Sequence, residues 1–194
     1  MIRDNTNLLQ LLAIPGNCCV CVYDEPKIPS RHDSFAFCLM KLKIIEFICL
    51  VLTSLVMGVF WGTWFTLTRS IHEFSPGEFI HIGKTIIANV AIPMSIIMPA
   101  TLLSMLITIL WSRRIRRSSF YVYIISFLLM VITLIITVAV EVPIDNQIKT
   151  WTEATIPSNW ESLRQRWDVF HTIRTFTSIG SFICFSWGII SRIK

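Results

Sequence analysis

Apolar residues along this chain gather into four long runs rather than alternating with polar ones. The runs cover about Ile44–Leu67, Thr85–Trp111, Phe120–Val140 and Thr172–Ile190. A membrane-crossing helix needs roughly 20 apolar residues, because the hydrocarbon core is about 30 Å thick and each helical residue rises about 1.5 Å. All four runs meet that length, and the fourth is the weakest because Arg174 lies near its start. A soluble four-helix bundle would need a polar face on every helix, and the second and third runs have none. The pattern predicts an all-α fold: a four-transmembrane-helix antiparallel bundle with a helical extracytoplasmic extension before the last span. It divides the chain into an N-terminal tail, 1–39, and a membrane domain, 40–194.

Composition points the same way. Of 194 residues, 54% are hydrophobic and only 15% charged, where a soluble domain carries about a quarter charged. Charge then suggests an orientation. Lys41 and Lys43 precede the first span, the loop from Ser112 to Arg117 carries four Arg, and Arg192 and Lys194 follow the last span. With four spans these regions share one side, which holds 11 Lys/Arg and 5 Asp/Glu against 6 and 7 on the other. The positive-inside rule places both termini in the cytoplasm, of a multi-pass protein of the plasma (inner) membrane. The net charge of +5 is explained by topology and anionic lipid, so no nucleic-acid partner is expected.

The tail has Pro15-Gly16, Pro26 and Pro29 and no long period. It reads as disordered or untranslated, since Met40-Lys41-Leu42-Lys43 before an apolar run resembles a natural start. Cys18, Cys19 and Cys21 cluster without a matching second cluster, so zinc is not expected; palmitoylation remains as an alternative to unmodified thiols. His72 and His81 lie in an expected outer loop, Ser70–Gly83, and their spacing fits no zinc motif. No metal and no cofactor is expected.

Polar residues inside spans are costly and therefore informative. Glu46 follows Lys43 by three residues, the spacing of an ion pair on one helix face. Asn89, near one end of the second span, is a candidate interhelical or cavity group, followed by Pro93 and Pro99. Thr133 and Thr137 are expected to bond their own backbone or a neighbouring helix, and Gly58 and Gly62 to bring helices close.

The segment from Glu141 to Arg174 is the most distinctive. Ser158 and Glu161 have capping-box spacing, and a single helix from Asn159 to Ile190 would be about 48 Å long, so its first turns project beyond the bilayer. On it Trp160, Arg164, Trp167, His171, Arg174 and Ser178 recur every three or four residues and share a stripe. Arg164 and Asp168 can pair, and Arg174 needs a partner, with Glu141, Asp145 and Asn89 as candidates. The stripe is either a structural network or a pocket, with His171 as acid/base and Arg174 as stabiliser of a developing anion.

Val142-Pro143-x-x-Asn146 followed by Trp160, Leu163, Arg164, Arg166, Trp167, His171, Arg174 and Thr175 resembles the anthrone oxygenase-like family of small four-helix membrane proteins, over roughly Lys43–Ile190. Asp145 stands where that family often carries Asn. The resemblance implies oxidation of anthrones to anthraquinones without bound flavin or haem, through an aromatic enolate that reacts with oxygen. His171 and Arg174 would then be catalytic, and Asn89, Glu141, Asn146, Trp160, Arg164 and Trp167 would line the substrate pocket. Expected partners are membrane lipid, a small hydrophobic or aromatic substrate, and a second copy or another membrane protein. The alternative function is a non-catalytic structural or accessory membrane protein whose outer helix docks a partner.

Overall fold

The computed structural model describes residues 31–113 and 117–193. The Cys18–Cys21 cluster, and Arg114 and Arg116 of the Arg-rich loop, lie outside the described residues. So does all of the expected tail except residues 31–39, which are helical. In chain order the elements are α1 (Arg31–Thr66), a 3-10 turn (Thr68–Glu73), α2 (Pro76–Ser112), α3 (Arg117–Ile136), a π-helical turn (Thr137–Glu141), α4 (Val142–Thr150) and α5 (Trp160–Ile193). No strand occurs among the described residues.

Each helix packs on its neighbours around a ring: α1 on α2, α2 on α3, α3 on α5 and α5 on α1, with α4 also resting on α2. Short connections make consecutive helices antiparallel. Among the described residues, four helical stretches are long and apolar enough to cross a membrane, Leu39–Glu73, Pro76–Ser112, Ser119–Thr150 and Trp160–Ser191, and the four expected spans fall inside them.

The distribution of side chains is inverted relative to a soluble bundle. Phe47, Ile92, Ile96, Leu103, Leu128 and Trp187 point outward and are exposed, whereas Thr53, Thr101, Ser104, Thr108, Ser126, Thr133, Ser178 and Ser181 are buried. Lipid tails are as apolar as leucine, so helices in a bilayer gain by turning small and hydrogen-bonding residues inward. This is the arrangement of an integral membrane protein.

The α3–α5 seam shows how. Ser126 donates to the Ser181 carbonyl at 2.7 Å, and Ser181 donates to the Ser126 carbonyl at 2.8 Å. One turn along, the Thr133 and Thr177 hydroxyls are 2.8 Å apart, and Thr133 and Thr137 also bond their own backbone. Close approach is made at Gly188, where a Cβ would collide with the Tyr123 ring. The expected Gly58–Gly62 contact is not made, because a Cβ at either position would meet nothing within 4 Å. Glu46 also departs from expectation: it turns inward and accepts from the Tyr123 hydroxyl at 2.7 Å.

A capping box is present at α2 rather than at Ser158. Ser75 accepts from the Glu78 N–H at 3.4 Å, and Glu78 accepts from the Ser75 N–H at 2.9 Å, with Pro76 preset for the first helical position. His81 is therefore on a helix. Helix α5 begins at Trp160, with Leu163 N–H bonded to the Asn159 carbonyl at 3.2 Å, and runs unbroken past His171. Its first turns form the expected extension.

Candidate functional site

Pro143 shapes the local backbone. It has no N–H to offer the Ala139 carbonyl, and its ring would crowd that carbonyl in a regular helix. The chain widens instead: the Val142 N–H reaches back five residues to the Thr137 carbonyl. Such π turns recur at functional sites because they rotate side chains that a regular helix would carry past. Here Glu141 becomes completely buried and Asp145, one turn on, half-buried. Ile144 and Ile148 pack with Phe79, Ile80 and Ile87 of α2 and with Trp167 of α5.

Helix α5 brings Arg174 opposite this turn. Arg174 Nη2 lies 3.0 Å from Glu141 Oε2. The contact pairs charges but is off the hydrogen-bond direction, and neither Glu141 oxygen has a hydrogen-bond donor among the described residues. The Arg174 guanidinium also lies over the Phe60 ring, 4.6 Å from its centroid. Its Nε and Nη2 approach His171 Nδ1 at 3.1 and 2.7 Å. An arginine has only donors, so His171 Nδ1 accepts and the ring proton sits on Nε2. That Nε2 is buried without a hydrogen-bond partner among the described residues. His171 is 1% exposed, stacked on Trp167 with centroids 4.7 Å apart and planes at 5°, and edge-on to Phe60.

Beside this network is a cavity of about 360 Å³. Its walls are mainly apolar: Phe60 of α1, Ile87, Met94 and Met98 of α2, and Leu134 and Val138 from α3 and the turn after it. Its charged lining comes from α4 and α5, Asp145 and Lys149 on the one and Arg174 on the other, with Asn146 and Trp167 beside them. Asp145 lies near the Trp167 indole and within electrostatic reach of Arg174 and Lys149. Lys149 donates to Asn146 Oδ1 at 3.1 Å. No described hydrogen bond uses Arg174 Nη1, which leaves a cationic donor for whatever occupies the cavity.

The expected site residues separate into three groups. Arg174, Trp167 and Asn146 line the cavity. His171 and Glu141 stand behind Arg174 and hold it without lining the cavity themselves. Asn89, Trp160 and Arg164 lie apart. Asn89 is exposed on the outer side of α2, because Ile87, Val90, Ala91 and Met94 occupy the cavity side. Glu141 rather than Asn89 pairs with Arg174. Trp160 packs on Phe79 and under the Arg164 guanidinium. Arg164 Nη1 donates to the Ile71 and Phe74 carbonyls at 3.3 and 3.4 Å. The expected Arg164–Asp168 pair gives way to His72 Nε2–Asp168 Oδ2 at 3.4 Å.

Lys149 and Phe60 are among the cavity residues that escaped the sequence reading. Lys149 follows Asp145 by four residues, a spacing that could have suggested a shared helix face. Phe60 is one of many span aromatics, and nothing in the sequence marks it. No group of His, Cys, Asp or Glu that could hold a metal ion occurs among the described residues.

Comparison with curated proteins and with solved structures gives no match. The anthrone oxygenase family model matches residues 85–184, just over half of the chain. The match takes in most of α2, α3, the π turn, α4 and most of α5, and so every charged residue of the site just described. The chain belongs to the anthrone oxygenase family.

Proposed function

We propose that this membrane protein is a cofactor-independent oxygenase acting on a small lipophilic aromatic substrate. The observation that carries the reading is the cavity of about 360 Å³, lined mainly by apolar side chains and bordered by Arg174 and Asp145. Its size falls within the roughly 300–1,000 Å³ of small-molecule sites. An aromatic ketone with a ring-flanked methylene, the anthrone class, matches both parts. Its rings fill the apolar walls and its carbonyl faces Arg174.

The reaction needs a base and a stabiliser of the resulting enolate. Asp145 takes a proton from the methylene. The electron pair moves to the carbonyl oxygen, where Arg174 meets the developing negative charge. The enolate then gives its electrons to molecular oxygen, a C–O bond forms, and the resulting hydroperoxide loses water to leave a new carbonyl. Overall, a CH₂ and O₂ become C=O and H₂O. His171 is a positioning residue in this scheme, because its Nδ1 lone pair is occupied by Arg174. A partner-docking role has less surface to use, since Trp160 and Arg164 are already engaged within the chain. The charge asymmetry along the chain supports a cytoplasmic location for both termini, with the Asn146–Lys149 end of the cavity toward the outside.

The test uses purified protein in lipid nanodiscs, anthrone as probe, and oxygen uptake with anthraquinone absorbance as readouts. Turnover above the uncatalysed rate is expected. Asp145→Asn should lower it by about 10²–10⁴-fold while anthraquinone still binds. Oxygen uptake no faster than in empty nanodiscs would refute the oxygenase reading. Undiminished turnover in Asp145→Asn would remove Asp145 from the base role.

A further inference from the structure

The cavity has a flank that closes poorly. Of the four helix pairs around the ring, α2 and α3 pack least extensively. Pro93 and Pro99 lie inside α2, which stays helical through both, and each lacks the N–H for one backbone hydrogen bond. On the other side the π turn at Thr137–Glu141 follows α3. Lining residues from the two sides, Ser95 and Pro99 on α2 and Val138 and Val142 across from them, are exposed as well as bordering the cavity. Ser95 and Pro99 lie within the second span and Val138 in the last turn of the third, where exposed means facing hydrocarbon, and Val142 follows just beyond that span. The Ser95 hydroxyl is turned back onto the Ile92 carbonyl at 2.7 Å, and the remaining side chains at this edge are apolar.

We infer that the slot between α2 and α3, edged by Ser95, Pro99, Val138 and Val142, is a lateral portal through which a lipophilic ligand enters the cavity from the bilayer. The inference rests on the reading of the cavity as a ligand site and adds the route. An aromatic ketone partitions strongly into lipid, so a portal at membrane depth meets a far higher local concentration than an aqueous mouth does. The polar residues Asn146 and Lys149, at the outer end of the same opening, then orient the ligand rather than admit it.

The test measures binding of anthraquinone to the protein in liposomes by tryptophan quenching, with stopped-flow rates. Wild type should bind, with association rates that follow the amount of probe per lipid rather than its aqueous concentration. Ser95→Trp and, independently, Val138→Trp should slow association and dissociation together by about tenfold or more, leaving Kd nearly unchanged. Both residues face lipid, so a large apolar side chain is tolerated there, and melting temperature and elution volume check the fold. Asn146→Trp, at a residue that orients the ligand, should change Kd through dissociation while leaving the association rate alone. The reverse pattern, with slow rates only in Asn146→Trp, overturns the portal and leaves the cavity reading standing. A rise in Kd with unchanged association in the slot variants also overturns it, because the new side chain would then fill the cavity rather than gate it. No binding to wild type overturns the portal and the ligand reading together.

Discussion

At Arg174 the energetics decide how the site is built. An arginine at the centre of a span costs about 2.5–3.5 kcal/mol even on the lenient insertion scale; Arg174, near the start of its span, is buried all the same, and Glu141, His171 and the Phe60 ring surround it. Removing one member of a buried ion pair leaves the other charge uncompensated, at a cost of about 3–5 kcal/mol. Arg174→Leu should therefore lower the melting temperature in detergent sharply, and adding Glu141→Leu should restore much of the loss. A double variant no more stable than the single one would mean that the pair is not what holds these helices. His171→Gln keeps an acceptor for Arg174 and should change stability little. Glycines give a second comparison at this scale. Gly188→Ala should destabilise by about 1–3 kcal/mol, the usual range for overpacking, because the new methyl collides with Tyr123. Gly58→Ala and Gly62→Ala have open space and should be neutral or gain up to about 1 kcal/mol from helix propensity. Chemical denaturation in mild detergent separates the two cases. From sequence, Gly58 and Gly62 looked like the packing pair; spacing identifies small residues four apart but not the neighbour they face.

At the scale of the element, α5 was legible almost throughout. Its stripe of Trp, Arg, His and Ser required an inward face, and its length required an extension beyond the bilayer. What its periodicity left open was how one stripe divides its work. Trp160 latches the extension to Phe79 of α2 and Arg164 latches it to the 3-10 turn, while Trp167 and Arg174 reach the cavity. Arg164→Ala removes both bonds to the Ile71 and Phe74 carbonyls. It should raise hydrogen exchange in residues 68–75 and in the first turns of α5 without changing exchange around Ser178. Uniform protection in the variant would show that the latch adds nothing. The α3–α5 seam predicts modest effects per hydroxyl. Ser126→Ala should cost on the order of 0.6 kcal/mol, the average for an interhelical hydrogen bond in a membrane, whereas Ser126→Leu should prevent the helices from closing. The π turn was not read from the sequence, although its cause, Pro143, was in view. Proline marks where a helix must yield, and neighbouring packing chooses between a kink, a break and a widened turn.

For the whole molecule, topology is the open test. In right-side-out vesicles an impermeant thiol reagent should label Thr152→Cys and spare Arg116→Cys, in a background with the native cysteines removed. Labelling at Arg116→Cys with protection at Thr152→Cys would invert the orientation and put the polar end of the cavity inside. The antiparallel bundle itself does not depend on that result. It follows from four long apolar helices with short connections.

Hydrophobic run length and charge placement are one-dimensional quantities, so the sequence alone determined the number of spans, the helical class and the expected sidedness. The family motif fixed Arg174, Trp167 and Asn146 in the same way, as residues at recognisable intervals. Tertiary structure decided which polar groups meet. Asn89 sat at a suitable depth for Arg174, but rotation of α2 turned it outward, while the π turn carried Glu141 inward. A helix rotates about 100° per residue, so one inserted residue changes which charge finds its partner. The cavity likewise has no signature in the chain. Its lining comes from α1, α2, α3, the widened turn, α4 and α5, residues far apart in the chain that meet only when the helices stand side by side.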